Sequence, residues 1–456
     1  MRLLPTLAFL LLLTSPAFAQ FEVLDPAKVA VPNPAPAAPT VSASDYTWVI
    51  HSVAALRPTG EGETSLLVIE SGTPRSAASD RAIGISHLVR ANGKLSREGV
   101  RLLLDGALDT FELADLTGDG QPDLVLRRIR TLPGEEDRTQ SVPRVVTTAY
   151  TFAADGSSTE LLRYETPAGA TECLGLLPTP AGTEDLIIAS FGGHAAGSTA
   201  SPDAYLHFSY TTDNTGPHLQ RLTDLVLPPV PIAQMITADL TGNGAPLVVT
   251  SRDFPDHTYK QQLWAQRLNP QGFFDNAPIG QGNDLTLLAP DSRMPGILFL
   301  WRDNTATPPL THLTSLRIDA AGKPKASGDL RIPLNLTLQD QAWGAILPGA
   351  PLELPGLALL LDSPDGGQWL ALVRLTATGA FDGFELHQFD AVQHWSSVAA
   401  YDIDGDGVEE LVGASGGSLM VFNADTRKLT GPIALPPDAR TAQDSDVFTL
   451  EPDAPN

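Results

Sequence analysis

Three stretches of the sequence share one pattern, and this pattern decides the fold prediction: Ala114-Asp-Leu-Thr-Gly-Asp-Gly-Gln-Pro-Asp-Leu-Val-Leu126, Ala238-Asp-Leu-Thr-Gly-Asn-Gly-Ala-Pro-Leu-Val-Val-Thr250 and Tyr401-Asp-Ile-Asp-Gly-Asp-Gly-Val-Glu-Glu-Leu-Val-Gly413. Each is a polar, glycine-rich loop that runs into a short apolar strand. Four further stretches keep part of the pattern, at 57–68, 182–188, 295–299 and 355–359. A step that recurs through a chain indicates a repeat architecture, which has to be recognised before other features are interpreted.

The spacing of the pattern predicts seven units. The first apolar residues after the loops are Leu66, Leu124, Leu186, Val248, Ile297, Leu357 and Leu411, with gaps of 58, 62, 62, 49, 60 and 54 residues. Glycines at 93, 156, 216, 272, 322 and 379 mark a second series of tight turns between strand-like runs, and tight β turns favour glycine. Each unit therefore reads as four antiparallel strands. Seven such units predict an all-β, seven-bladed β-propeller of four-stranded blades over residues 46–435, a closed arrangement that protects the sheet edges.

The two ends of the chain predict export. Met1-Arg2, an apolar stretch from Leu3 to Leu13 and the small residues Ala17-Phe18-Ala19 form the pattern of a secretory signal peptide over residues 1–19. A proline- and alanine-rich linker follows at 20–45, and an acidic tail is predicted at 436–456. The apolar run is too short to span a membrane, and no other run is long enough. We expect a periplasmic or extracellular protein with no membrane span.

Composition excludes several classes of partner and site. The chain has 53 acidic and 29 basic residues, a formal net charge of −24, which argues against binding to nucleic acid or to an anionic membrane surface. The single cysteine, Cys173, excludes an internal disulfide framework, and its apolar strand predicts a buried small side chain.

The loop at 402 has the oxygen donors of a calcium site. Asp402, Asp404 and Asp406 take positions 1, 3 and 5, Val408 offers its carbonyl at position 7, and Glu410 takes position 9. Carboxylates at alternate positions can converge when glycines let the chain curl, and hard oxygen ligands suit Ca²⁺. An EF-hand is disfavoured, because position 12 is Gly413 and a strand, not a helix, follows. The alternative is that such loops are only Gly/Asp turns.

The loops resemble those of the FG-GAP/VCBS repeat family, the propeller repeat of integrin α-subunit head domains, over residues 46–435. The resemblance implies that these loops join the first two strands of a blade and bind structural Ca²⁺. The ligand sets that it implies are Asp115, Thr117, Asp119, the Gln121 carbonyl and Asp123; Asp402, Asp404, Asp406, the Val408 carbonyl and Glu410; and a weaker set of Asp239, Thr241, Asn243 and the Ala245 carbonyl. The third set is weaker because Leu247 replaces its last carboxylate.

The sequence contains no recognised catalytic motif, so a binding or adhesion scaffold for a protein or a glycan is the first prediction of function. The alternative is a polysaccharide lyase or hydrolase, and a third reading is a structural part of an envelope assembly. Long loops between the second and third strands are the predicted ligand face, although such loops can also be tolerated insertions. The predicted contacts there are Arg128, Arg252, Asp253, Trp301, Arg302 and Asp303.

Overall fold

A computed structural model of the chain describes residues 43–450, apart from the segments 58–63, 76–80, 92–93, 134–140, 154–156, 166–170, 180–181, 192–203, 215, 223–224, 227–231, 245, 254–259, 267, 270–271, 274–277, 292–293, 333, 347–354, 390–393, 436–440 and 445–446. The predicted signal peptide and nearly all of the predicted linker lie outside the described residues. All described residues belong to the unit Pro39–Asn456. Within them, no helix has the length and apolar character needed to cross a membrane.

The described part of the chain is all-β, with one 3₁₀ turn at Ala43–Asp45 ahead of the strands. The strands up to Phe191 are β1 (Tyr46–Leu56), β2 (Ser65–Pro74), β3 (Ala82–Ala91), β4 (Lys94–Asp105), β5 (Ala107–Ala114), β6 (Asp123–Pro133), β7 (Ser141–Phe152), β8 (Ser158–Glu165), β9 (Thr171–Pro178) and β10 (Glu184–Phe191). Those of the middle of the chain are β11 (Ala204–Asp213), β12 (Gly216–Arg221), β13 (Leu225–Val226), β14 (Ile232–Ala238), β15 (Leu247–Asp253), β16 (Gln261–Gln266), β17 (Leu268–Asn269), β18 (Gly272–Phe273), β19 (Pro278–Leu287), β20 (Ile297–Asp303), β21 (Leu310–Ile318) and β22 (Pro324–Ile332). The remaining strands are β23 (Thr337–Gly344), β24 (Gly356–Asp362), β25 (Gln368–Leu375), β26 (Phe381–Gln388), β27 (Ser397–Tyr401), β28 (Glu410–Ser415), β29 (Ser418–Asn423), β30 (Lys428–Ala434), β31 (Thr441–Asp444) and β32 (Val447–Leu450).

These strands form six antiparallel sheets, which we number in chain order. The first sheet has the order β1-β2-β3-β4-β32-β31, and the second is β5-β6-β7-β8. The third is β9-β10-β11-β12 with β13 added to β11, and the fourth is β14-β15-β16-β19-β20-β21-β22. The fifth is β23-β24-β25-β26 and the sixth is β27-β28-β29-β30, while β17 and β18 form a separate two-stranded ribbon.

The predicted seven-bladed propeller of four-stranded blades is therefore wrong. The described strands form six sheets of four to seven strands, and only three of these sheets have four. The main cause is β19, whose first half pairs with β16 and whose second half pairs with β20. The gap from Val248 to Ile297 is the shortest in the repeat, so the predicted fourth and fifth units share one strand and merge. The C-terminal strands β31 and β32 extend the first sheet. The sequence predicted an acidic tail here with one strand-like patch, Val447–Leu450, and this patch forms β32.

The core lies between the sheets, because alternate side chains of a strand point to opposite faces. In β2, Leu66 and Val68 pack against the sixth sheet, whereas Leu67 and Ile69 pack against the second sheet. The same alternation in β24 sends 357, 359 and 361 to the fourth sheet and 358 and 360 to the sixth. Burial on both faces explains why these strands are continuously apolar instead of alternating with polar residues.

One side-chain position repeatedly contacts the backbone of another first strand or of a distant strand. In three of its four cases the partner belongs to the next sheet, while Gln234 and Leu287 both lie in the fourth sheet. It lies in the first strand of a sheet. Its partner in the second strand comes three residues after the first apolar residue that follows the loop; Asp340, for example, pairs with Leu360, three residues after Leu357. The side chains at this position, each with the residue whose backbone N–H it contacts, are Cys173 with Met235, Gln234 with Leu287 (2.7 Å), Asp340 with Val398 (2.8 Å) and Ser397 with Val53 (3.1 Å). The last of these bonds joins the sixth sheet to the first, and so does the bond from Ile50 N to Gly416 O at 2.7 Å.

Candidate metal centre

The loop between β27 and β28 is curled by its own first carboxylate. Asp402 accepts hydrogen bonds from the backbone N–H groups of Gly405 at 2.5 Å and Gly407 at 3.1 Å. Both glycines have positive φ, +88° and +87°, which L-residues with a side chain rarely adopt. The carboxylate of Asp406 accepts the N–H of Val408 at 2.8 Å. The glycine spacing in the sequence therefore produces the tight loop that brings the later carboxylates back toward Asp402.

Three carboxylates meet at this loop. Ligand oxygens of Asp402, Asp404 and Glu410 lie within 4.8 Å of one another. Glu410 is only 3% exposed, and its two oxygens accept bonds from Ile403 N (3.2 Å) and Asn423 Nδ2 (3.1 Å). Burial raises the pKa of Glu410, and the negative charges of Asp404 and Asp406 raise it further, against the bond from Ile403. Oxygen donors that repel one another at this spacing fit a hard divalent cation such as Ca²⁺.

The loop between β5 and β6 repeats the backbone curl with one fewer carboxylate, but among the described residues only the 402 loop brings three carboxylates within 4.8 Å of one another. Asp115 accepts the N–H groups of Gly118 (2.7 Å) and Gly120 (3.0 Å), and Asp119 accepts the N–H of Gln121 (2.8 Å). Burial raises the pKa of Asp123 to about 6, against the Thr151 hydroxyl and two backbone N–H groups that lower it.

The Thr117 side chain in the same loop has an unmet hydrogen-bonding group. Its Oγ1 is buried and has no hydrogen-bond partner in the described part of the chain. A buried hydroxyl oxygen at position 3 fits a ligand role, because an unsatisfied buried polar group is costly.

The loop between β14 and β15 is satisfied by its own backbone. Asp239 accepts bonds from the N–H groups of Thr241, Gly242, Asn243 and Gly244 at 2.7 to 3.3 Å, and from the Thr241 hydroxyl at 3.2 Å. Partial burial raises the pKa of Asp239, but the four backbone bonds outweigh it and the pKa lies below its usual range. Residue 247 is a buried leucine, and residue 245 lies outside the described residues. The loop thus holds its shape with a single carboxylate.

The six predicted ligand contacts lie in different environments. Arg128 is fully buried within β6, where its Nη1 contacts the Asp105 carboxylate at 2.5 Å. Arg252 is 2% exposed within β15 and lies over the Trp264 ring at 4.9 Å. The sequence predicted that these two arginines lie on exposed loops. They are instead buried within strands, because the strands extend further than expected.

The other four predicted contacts retain exposed surface. Trp301 stacks on His312 with ring centroids 4.4 Å apart, and Arg302 pairs with Asp284 at 2.7 Å. Asp253 accepts a bond from Gln261 Nε2 at 3.0 Å, and Asp303 accepts the N–H of Thr305 at 2.9 Å.

Sequence reasoning missed three residues at the 402 loop. Asn423 donates a hydrogen bond to Glu410, and Arg57, which directly follows β1, pairs with Glu409 at 2.7 Å. Arg90 of β3 contacts Asp402. The two arginines are more than 300 residues away along the chain, and no local pattern marks them.

Comparisons with known proteins give little further information. No family model matches the chain, and no curated protein matches it. Among solved structures, the chain is similar to the exotype rhamnogalacturonan lyase YesX, with 11% identity and a TM-score of 0.42, and to the Bacillus licheniformis rhamnogalacturonan lyase PL11, with 13% identity and a TM-score of 0.38. Both alignments cover 89% of this chain and 72% of the other. Similarity at this level carries no argument about the fold or activity of this chain.

Proposed function

We propose that the protein is an exported, calcium-stabilised all-β scaffold that binds a protein or a glycan. The observation that supports the calcium site best is the convergence of Asp402, Asp404 and Glu410 within 4.8 Å. The 115 loop is the second proposed site, and the 239 loop the weakest. A bound cation would neutralise the carboxylates of the loop and stabilise the folded chain, because the unfolded chain cannot present them together.

Calcium titration of the full chain tests the first part of the proposal. At a free concentration 100 times the dissociation constant, Ca²⁺ should stabilise the fold by about 2.7 kcal/mol per site, measured as a rise in Tm that EGTA reverses. Asp404→Ala should weaken binding strongly, because it removes a charged ligand. Asn243→Ala is the matched comparison in the self-satisfied loop and should cost less calorimetric affinity than Asp404→Ala. A Tm that responds to neither Ca²⁺ nor EGTA would reject the site.

The ligand face is the second part of the proposal. Trp301, Arg302, Asp303 and Asp253 keep exposed surface near strand ends, where a rigid sheet can present them. An aromatic face with nearby charged groups suits a glycan or a polar protein surface. Trp301→Ala should abolish binding to whichever ligand an array of glycans and proteins identifies, whereas Trp369→Ala in β25 should not.

A polysaccharide lyase is the second candidate. The two similar structures are rhamnogalacturonan lyases, which makes rhamnogalacturonan the first substrate to assay. A lyase would release an unsaturated sugar with a new ultraviolet absorbance, and that product would establish an enzyme. Retained glycan binding without product would favour the scaffold.

A further inference from the structure

An arginine of the first sheet lies against the candidate calcium loop of the sixth sheet. Arg90 Nη1 is 3.3 Å from Asp402 Oδ1 and donates to the Asp402 carbonyl at 3.4 Å. Both side chains are about one-third exposed, at 31% and 27%. The first carboxylate of the site thus already has a positive counter-charge supplied by the protein.

The guanidinium packs on a glycine of the loop. A Cβ atom on Gly405 would overlap Arg90 Nη1, so a side chain at this position would displace the guanidinium from its present place. A second arginine, Arg57, directly follows β1, pairs with Glu409 and donates to the Ala400 carbonyl at 2.8 Å. Arginines from the region of the first sheet therefore contact the 402 loop at both ends.

The corresponding contacts of the other two loops are uncharged. At the 115 loop, the side chain of Thr183 packs on Gly118, and at the 239 loop, Pro295 lies 3.7 Å from the Cβ position of Gly242. An arginine packed on the loop glycine is therefore particular to the loop with the most carboxylates. At the 239 loop, Arg317 interacts electrostatically with Asp239 but donates to the Pro295 carbonyl and does not pack on Gly242.

We propose that Arg90 is a built-in competitor of Ca²⁺ for Asp402, which sets the affinity of the site and couples it to the contact between the first and sixth sheets. This inference rests on the proposed calcium site. A fixed positive charge beside a ligand carboxylate repels an incoming divalent cation, while the same charge stabilises the loop when the cation is absent. Ca²⁺ binding should therefore weaken the Arg90–Asp402 pair, and the cation should then stabilise the loop in place of the arginine.

The test is calorimetric titration of Ca²⁺ into the full chain carrying Arg90→Gln, with Arg90→Lys as the charge-retaining control. Arg90→Gln should bind Ca²⁺ roughly three- to tenfold more tightly than the natural chain, since it removes the repulsion. Arg90→Lys should bind within about twofold of the natural chain. In EGTA, Arg90→Gln should have a lower Tm than the natural chain, and saturating Ca²⁺ should abolish that deficit.

The outcomes separate this inference from the calcium site itself. If the natural chain binds Ca²⁺ and Asp404→Ala does not, while Arg90→Gln binds no more tightly, the role of Arg90 is overturned and the site stands. If neither the natural chain nor Arg90→Gln binds Ca²⁺, both proposals fail. If Arg90→Gln does not fold, Arg90→Met removes the same charge, so a gain in affinity there supports the inference and an unchanged affinity contradicts it.

Discussion

At the scale of single residues, the structure explains why residue 413 is a glycine, which the loop pattern alone does not. Its position in the 402 loop argued against an EF-hand, because a carboxylate is missing there. In the structure, a Cβ on Gly413 would overlap the indole of Trp395, which is fully buried and packs 4.8 Å from the Phe389 ring. The glycine is thus required by packing within the core between the fifth and sixth sheets.

Gly413→Ala should therefore destabilise the fold by about 2–3 kcal/mol, because the extra methyl group forces a buried tryptophan or its backbone to move. Urea unfolding followed by tryptophan fluorescence measures the change. Gly417→Ala is the matched control in the following turn, where no heavy atom lies within 4 Å of the added Cβ, and it should change the free energy of unfolding by less than about 0.5 kcal/mol. Equal losses at the two positions would contradict the packing argument.

At the scale of strands, the sequence predicted where strands and loops lie better than it predicted which strands pair. Loop-to-strand steps and glycine turns are local, so the sequence located strands such as β6, β15 and β28 and the curled loops that precede them. The sharing of β19 was not predictable, because it depends on hydrogen bonds between strands and not on residue type. For the same reason, the ligand series of the 402 loop was predictable, whereas Arg90 was not.

Buried hydrogen-bonding side chains in the first strands of two sheets are explained by their contacts with the next sheet. Cys173 is 8% exposed, as its apolar strand predicted, and burial raises the pKa of its thiol to about 12. Asp340 at the equivalent position contacts Ser397 Oγ (2.5 Å), Val398 N (2.8 Å) and Gln341 N (2.8 Å). Burial raises the pKa of Asp340 to about 6, against the lowering effect of these three bonds.

Asp340 should make stability depend on pH. Its pKa in the folded chain, about 6, lies above the 3.8 of an ordinary aspartate, so the fold binds this proton more tightly than the unfolded chain does. The contribution is fully present below about pH 4 and is lost as the pH rises toward and past 6, by about 2–3 kcal/mol in total. Asp340→Asn should be less stable overall than the natural chain. Between about pH 4.5 and 7.5, however, its free energy of unfolding should fall less than that of the natural chain in urea titrations. Identical losses would assign the effect to other groups.

At the scale of the whole described unit, the first and sixth sheets are joined by several contacts of different kinds. Ser397 and Ile50 supply hydrogen bonds between the two sheets, and Arg57 and Arg90 supply ion pairs. Apolar residues of both sheets also share one core cluster. The sequence predicted that the repeats share one domain, but residues at opposite ends of the chain carry these contacts, and no periodic pattern identifies such partners.

Because these contacts act together, weakening one of them should loosen both sheets. Ser397 Oγ accepts the Val53 N–H and lies 2.5 Å from Asp340 Oδ2, so Ser397→Ala leaves a buried N–H without its acceptor and should cost about 1–3 kcal/mol. Hydrogen exchange followed by mass spectrometry should then show faster exchange in peptides from both β1 and β27, with no change in β10 of the third sheet. Ser415→Ala is the control, since within the described part of the chain its hydroxyl donates to His394 O at 3.1 Å, a contact inside the region of the sixth sheet. Faster exchange confined to β27 would show that the two sheets open independently.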